Sequence, residues 1–317
     1  MAKTKLKANR NAHNQPFFSR LWKNIKKHPG IYVMSLFVIA YYAVFHYATL
    51  YGAIIAFKDY SPTSGIMGSD WVGFKHFKNF FSDYYFFRLL KNTLLLSVYN
   101  LLWGFPAPII LALLLNEVRN EPFKRSVQTF TYLPHFISLV VVAGMIKEFT
   151  DSDGLINDII AVFGGERSNL LQNAGCFRSI YIISQIWQSV GWGTIIYLAA
   201  LAGIDQEQYE AAVIDGAGRF QKMLHITLPG LYPTIIILLL LRLGQLMSLG
   251  YEKIILLYNS TTFKTADIIN SYVYRRGLQQ FDWSYSTAVG LFNSTINFAL
   301  LVVFNRISKK VSENSLW

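Results

Sequence analysis

Glu210-Ala211-Ala212-Val213-Ile214-Asp215-Gly216 and, after nine intervening residues, Ile226-Thr227-Leu228-Pro229 form the stretch on which the reading of this chain turns. The stretch is polar and helix-forming, and it separates two strongly apolar runs. Asp205 is a good N-cap, Gln208 has the spacing of a capping box, and Ile204 and Tyr209 are placed as a hydrophobic staple. Tyr209, Ala212, Val213, Gly216 and Phe220 recur at helical spacing, so the expectation is a short amphipathic helix with Glu207, Glu210 and Asp215 off that face. Gly216 and Gly218 permit a sharp change of direction. Pro229 and Pro233 bracket the start of the next apolar run. Such a helix is too short and polar to span a bilayer. It is shaped to lie in a groove on a partner protein or, in the plainer reading, to rest on the membrane surface.

Working outward, 53% of the residues are hydrophobic and only 15% charged, where a soluble chain carries about a quarter charged residues. The apolar residues gather into six runs near bilayer length: Ile31 to Phe57, Thr93 to Leu115, Phe130 to Phe149, Ser179 to Ala202, Tyr232 to Leu249 and Thr287 to Phe304. Spanning takes about 20 such residues. The second run is interrupted by Gly104, Pro106 and Pro108, which predicts a kink. Lys and Arg set the orientation. They crowd the N-terminal tail (Lys3 to Lys27), the second-to-third connection (Arg119, Lys124, Arg125), the fourth-to-fifth (Arg219, Lys222) and the C-terminus (Arg306, Lys309, Lys310). The connections of opposite parity carry Asp59, Asp70, Asp83, Asp151, Asp153, Asp158, Glu166, Asp267 and Asp282. Both termini and the Glu210 loop are therefore expected on the cytoplasmic side of a cell membrane. The division that follows is a basic tail at 1–30, a first transmembrane helix at 31–57, an external loop at 58–92, a five-helix core at 93–304 containing the loop 203–230, and a tail at 305–317. The first run is too long, and too far from the start, for a cleavable signal peptide.

Several functions lose support on the same evidence. The net charge of +11 sits where topology demands it, with no nucleic-acid motif beside it, so no nucleic-acid partner is expected. Cys176 is the single cysteine and excludes an internal disulfide. The histidines are scattered, with no metal-ligand spacing. No G-x-x-x-x-G-K loop occurs, so the chain binds no ATP by that motif. No nucleophile elbow and no carboxylate pair at reacting distance point to membrane-embedded catalysis, such as on cell-wall glycans.

The spacing EAA-x3-G-x9-I-x-LP resembles the coupling loop of the membrane subunits of binding-protein-dependent ABC importers. From about Trp71 onward the chain is similar to the permeases of sugar and oligosaccharide importers of the maltose-type superfamily. Asn92-Thr93, Tyr132-Leu133-Pro134-His135, Tyr251-Glu252-Lys253, Leu257-Tyr258-Asn259, Tyr272 to Leu278, Ser284 to Phe292 and Leu316-Trp317 look like its polysaccharide-type branch. The resemblance implies an all-α integral membrane protein of six transmembrane helices with a cytoplasmic coupling helix, the type I ABC importer permease fold. It also implies a second, homologous permease, two ATP-binding subunits that hold ATP and Mg²⁺, and an extracellular solute-binding protein delivering the sugar. The subunit itself would be non-catalytic and hold no cofactor or metal. The large extracytoplasmic insertion of the maltose-type subunit is absent, since no external connection here is long enough to form a domain. By this resemblance Glu210, Ala211, Ala212, Asp215, Gly216, Ile226, Leu228 and Pro229 couple to the ATPase.

Polar side chains inside a bilayer are costly, and at helical spacing they nominate a pathway. Tyr181, Gln185, Gln188 and Trp192 form one stripe, offering amides to sugar hydroxyls and rings to C–H faces. Gln245 with Arg242 and Glu252 lie roughly on one side of the fifth run. Asn293 and Asn297 share a face of the sixth with Ser286 and Gly290, as pore lining or as interhelical glue. Arg242 falls near mid-membrane and requires a carboxylate on another helix, the sister permease, or an anionic ligand such as an acidic sugar. The rival class is an ion-coupled secondary transporter. It calls for acids buried in the spans and for inverted repeats, and it leaves the Glu210 loop without a role.

Overall fold

The computed structural model describes Trp22 and residues 24–311; most of the basic N-terminal tail and the closing Leu316-Trp317 lie outside the described residues. Among the described residues four helices are long and apolar enough to cross a membrane: Pro29–Phe57, Phe86–Glu117, Arg219–Gly244 and Trp283–Lys310. A bent pair, Glu121–Phe136 and Leu139–Val162, is long and apolar enough only when its two halves, at 101° to each other, are taken together. Phe177–Ala202, at 26 residues, is about 39 Å long and so also spans, but its glutamines and serines make it less apolar than the others.

Three of the expected boundaries are corrected. The Phe130–Phe149 run is not one helix, because Pro134 has no N–H to continue the ladder. Ser138 then starts a new helix by accepting a hydrogen bond from Val141 N at 3.4 Å. The fifth run begins earlier and ends sooner than expected, with a helix at Leu228–Gly244 and irregular backbone from Gln245 to Gly250. The second helix starts at Phe86 instead of Thr93, where Asp83 Oδ1 accepts from Tyr85 N at 2.8 Å and stops the preceding turn. The kink expected at Gly104 and Pro106 is present as a π turn, Asn100–Gly104. The segment expected as loop at 58–92 contains a two-stranded antiparallel ribbon, Lys58 opposite Trp71 and Asp59 opposite Asp70, and the helix Lys75–Phe81.

The first helix stands apart. Pro29–Tyr42 buries no residue, and the chain returns to the bundle only where Tyr51–Phe57 meets the Trp283–Val311 helix. In a bilayer such a surface faces its own solvent. The remaining helices enclose one apolar cluster around Leu96, Phe177 and Ile254, a second around Phe80, Met247 and Tyr285, and a third of Ala112, Tyr197, Leu201 and Leu231. The Phe177–Ala202 helix joins the first and third clusters. Its closest approach to Glu121–Tyr132 is at Gly191, where an added Cβ would overlap the carbonyl of Thr131.

At the end of the bundle away from the Glu210 loop, Asp83 Oδ2 accepts from the hydroxyls of Tyr272 at 2.6 Å and Tyr285 at 2.8 Å. Burial pushes the Asp83 carboxyl up, but the two tyrosines, Tyr85 N and the charge of Arg276 outweigh it and hold the group below the usual carboxylate range.

Two outcomes follow. Gly191→Val should lower the detergent-solubilised thermal midpoint markedly, because the clash is with backbone and costs about 1–3 kcal/mol or more; an unchanged midpoint would show the helices are not so close. A carboxyl with a depressed folded pKa stabilises above its unfolded value and loses that stabilisation as pH falls through the lowered one. Midpoints measured from neutral pH into acid should therefore decline less steeply for Asp83→Asn than for the parent chain.

Candidate functional site

The helix predicted around Glu210 runs from Gln206 to Ile214, capped by Asp205, whose Oδ1 accepts from Glu207 N at 3.0 Å. It ends on Gly216 at φ +77°. Ala217 N donates to Ala212 O at 2.8 Å and Gly216 N to Val213 O at 3.1 Å, the Schellman pattern that requires a left-handed residue after the cap. The staple drawn from sequence is replaced: Ile204 packs with the Leu201–Leu231 cluster, and the Tyr209 hydroxyl lies 3.0 Å from Thr227 Oγ1. That contact ties the two halves of the motif together through Thr227, its unspecified position, which is buried. Ile226 and Leu228 are half-buried beside it, while Glu210, Ala211, Asp215 and Pro229 are exposed. Val213, Ile214 and Phe220 are also exposed, Ile214 at 85%, so the loop presents apolar side chains that its own chain leaves uncovered.

Toward the middle of the bundle lies a cavity of about 460 Å³. Its walls come from every break described above. Ser97 comes from the helix before the π turn and Asn100 and Leu101 from the turn itself, His135 and Ile137 from the bent pair, and Tyr181, Gln185, Gln188 and Ser189 from the fourth spanning helix; Gln245 opens the irregular segment, and Arg242, Glu252 and Lys253 flank it. Had the fifth helix continued, Arg242 and Glu252, ten positions apart, would lie about 15 Å from each other along the axis. Unwinding folds them onto one cavity. No carboxylate lies within 4 Å of Arg242 among the described residues. Lys253 is buried, its ammonium 3.4 Å from Gln185 Oε1 and 5.4 Å from the centre of the Tyr181 ring. Two cations thus face one carboxylate across polar amides.

Of the expected pathway residues, Tyr181, Gln185, Gln188 and Gln245 line this cavity. Trp192 stands behind the wall, its ring stacked on His135 at 4.5 Å and 5°. Asn293 and Asn297 do not line it. Asn297 Oδ1 accepts from Met247 N at 2.8 Å and its amide donates to Ser248 Oγ at 2.7 Å. Asn293 donates to Met247 O at 3.2 Å and to Asn270 Oδ1 at 3.0 Å. The pair satisfies backbone left open by the unwound segment, a need that outranks facing the cavity. Sequence reasoning missed His135, Asn100 and Lys253; Pro134 and the Gly104–Pro106 interruption were the signals, since broken spans surround transport sites.

Comparison with known proteins gives the family. Residues 104–313 match the family described as the binding-protein-dependent transport system inner membrane component. The chain belongs to that family. It is a membrane permease of the ABC importers, with the type I importer fold. It is 48% identical over 294 residues to "Protein LplB" of Bacillus subtilis (strain 168), covering 92% of each chain. To the "Polygalacturonan/rhamnogalacturonan transport system permease protein YteP" of the same strain it is 48% identical over 288 residues, 90% of each. Among solved structures, a chain of a bacterial ABC transporter "involved in the import of the acidic polysaccharide alginate" superposes with a TM-score of 0.85 at 42% identity. That match covers 92% of this permease and 99% of the other chain.

Asn297→Ala in this permease should destabilise it by about 1–3 kcal/mol, since Met247 N is left buried without an acceptor. Asn297→Asp, which keeps the acceptor, should retain more of the thermal midpoint. Equal loss in the two variants would refute this role.

Proposed function

We propose that this permease carries an acidic oligosaccharide through the Arg242–Lys253 cavity by alternating access. The single observation behind the substrate class is that Arg242, at bilayer depth, lines a polar cavity with buried Lys253 and, among the described residues, has no carboxylate at ion-pair distance. An unpaired guanidinium there is costly, and a uronate carboxylate would offset that cost in bidentate form. Gln185 and Gln188 suit hydroxyls, and Tyr181 suits a sugar face. The names of two relatives, which refer to polygalacturonan and rhamnogalacturonan and to alginate, support the same chemistry.

In this reading the chain pairs with a second, homologous permease, and an extracellular solute-binding protein delivers the sugar. A related alginate transporter has been solved in complex with a periplasmic protein bound to an alginate pentasaccharide. Both termini and the Glu210 helix face the cytoplasm of the inner membrane. Two ATPase subunits, which hold ATP and Mg²⁺, receive Val213, Ile214 and Phe220 in a groove. Their closure draws the paired coupling helices together and opens the cavity outward. Hydrolysis reverses the motion, so no catalysis resides here. An ion-coupled transporter has no use for those exposed apolar side chains.

The test is uptake by the reconstituted complex of acidic and neutral oligosaccharides of equal length. Arg242→Gln and Lys253→Gln should each lower acidic uptake by about tenfold or more, the loss of one charge-assisted hydrogen bond, and leave neutral uptake nearly intact. Equal loss for both sugars with poor assembly would assign the cations a structural role. Glu210→Lys should leave the chain inserted but detach or uncouple the ATPase, read as co-purification and as substrate-stimulated hydrolysis; full uptake with normal association would remove this loop from coupling.

A further inference from the structure

Outside the cavity, the charge balance around Asp267 is uneven. Its buried carboxylate is held by Arg275 at 2.6 and 3.2 Å and approached by Arg88 at 3.7 Å. A third guanidinium, Arg178, reaches the cluster only through a neutral group, donating from Nη2 to Asn92 Oδ1 at 2.8 Å. Asn92 is oriented for this by its own donations to Lys264 O and Asp267 O. Among the described residues no carboxylate lies within 4 Å of Arg178, and its Nε is shut off from solvent without a partner. Two guanidinium groups, Arg275 and Arg88, therefore share the Asp267 carboxylate, and Arg178 beside them has none.

Arg178 also closes one end of a groove of about 480 Å³ on the outside of the bundle, walled by Tyr99, Trp103, Ile182, Ile183 and Ile186. Ile183 and Trp103 are 67% and 65% exposed. From Arg178 to Ile186 the trough follows the helix for about 12 Å, close to the depth of one hydrocarbon leaflet, about 15 Å. The cationic end is the start of the Phe177–Ala202 helix, opposite the Glu210 loop, so it lies at headgroup level.

We propose that this groove binds an anionic phospholipid of the leaflet opposite the Glu210 helix. The phosphodiester accepts hydrogen bonds from the Arg178 guanidinium, and one acyl chain lies along Ile182 and Ile186 against Trp103. A zwitterionic lipid presents the same phosphodiester with a compensating cation, which the surplus positive charge of the arginine cluster disfavours. A sugar carboxylate would satisfy Arg178 but has no use for a wall of isoleucine.

The test uses the complete transporter in detergent, stripped of lipid and titrated with phosphatidylglycerol or chain-matched phosphatidylcholine, with native mass spectrometry counting retained lipids. The parent complex should retain phosphatidylglycerol preferentially. Arg178→Gln, which can still donate to Asn92, should weaken that retention about tenfold. Ile186→Trp fills the trough, leaves the Arg178–Asn92 pair intact, and should displace the lipid by itself. Equal retention of both lipids by the parent complex, or unchanged phosphatidylglycerol retention in both variants, would overturn the proposal. So would efficient cross-linking of a cysteine at Ile183 to the sister permease, which would make the groove a protein interface.

Discussion

The six residues from Gln245 to Gly250 leave the helical ladder within a membrane protein, and the arrangement of the core follows from where their backbone groups find partners. Where the segment is buried, as at Met247 and Leu249, an orphaned N–H or C=O costs several kcal/mol. Met247 N goes to Asn297, Met247 O to Asn293, Leu249 O to Asn270 and Leu246 O to Ser97. Three separate elements are thereby fastened to one stretch of unwound chain. Removing any of these side chains strands a buried backbone group, so polar residues on apolar helices persist here for a structural reason.

That unwinding is also what makes a site. It ends the fifth spanning helix just after Arg242 and starts a short helix, Tyr251–Leu257, that turns Glu252 and Lys253 inward. The bend at Pro134–Ser138 and the π turn at Asn100–Gly104 do the same for His135 and Asn100, so three irregularities converge on one cavity. Regular helices present only their packed side chains to one another, whereas interrupted ones also expose side chains and backbone at mid-depth.

The Glu210 loop works by a different economy. Gly216 in the left-handed region closes one helix, Arg219–Lys222 opens the next, and the Tyr209–Thr227 contact braces the two. A rigid elbow results at the foot of the fifth spanning helix. Val213 and Ile214 sit exposed on this elbow, and the helix that rises from it, Arg219–Gly244, carries Arg242 near its far end.

Hydrophobic runs near bilayer length determined the membrane class, because lipid admits only chains that satisfy their own backbone. The spacing from Glu210 to Pro229 determined the short helix and its glycine stop, because capping and left-handed geometry are local properties. The stripe of Tyr181, Gln185 and Gln188 was legible for the same reason, being set by the helical repeat alone. Tertiary structure decided which polar groups face the cavity. Asn293 and Asn297 share a helix face as the periodicity says, yet that face meets broken backbone and is consumed by it. Arg242, Glu252 and Lys253 converge only because the helix between them unwinds. Whether a helix unwinds depends on partners supplied by residues some fifty positions away, such as Asn297 for Met247, and no local pattern in the chain encodes that meeting.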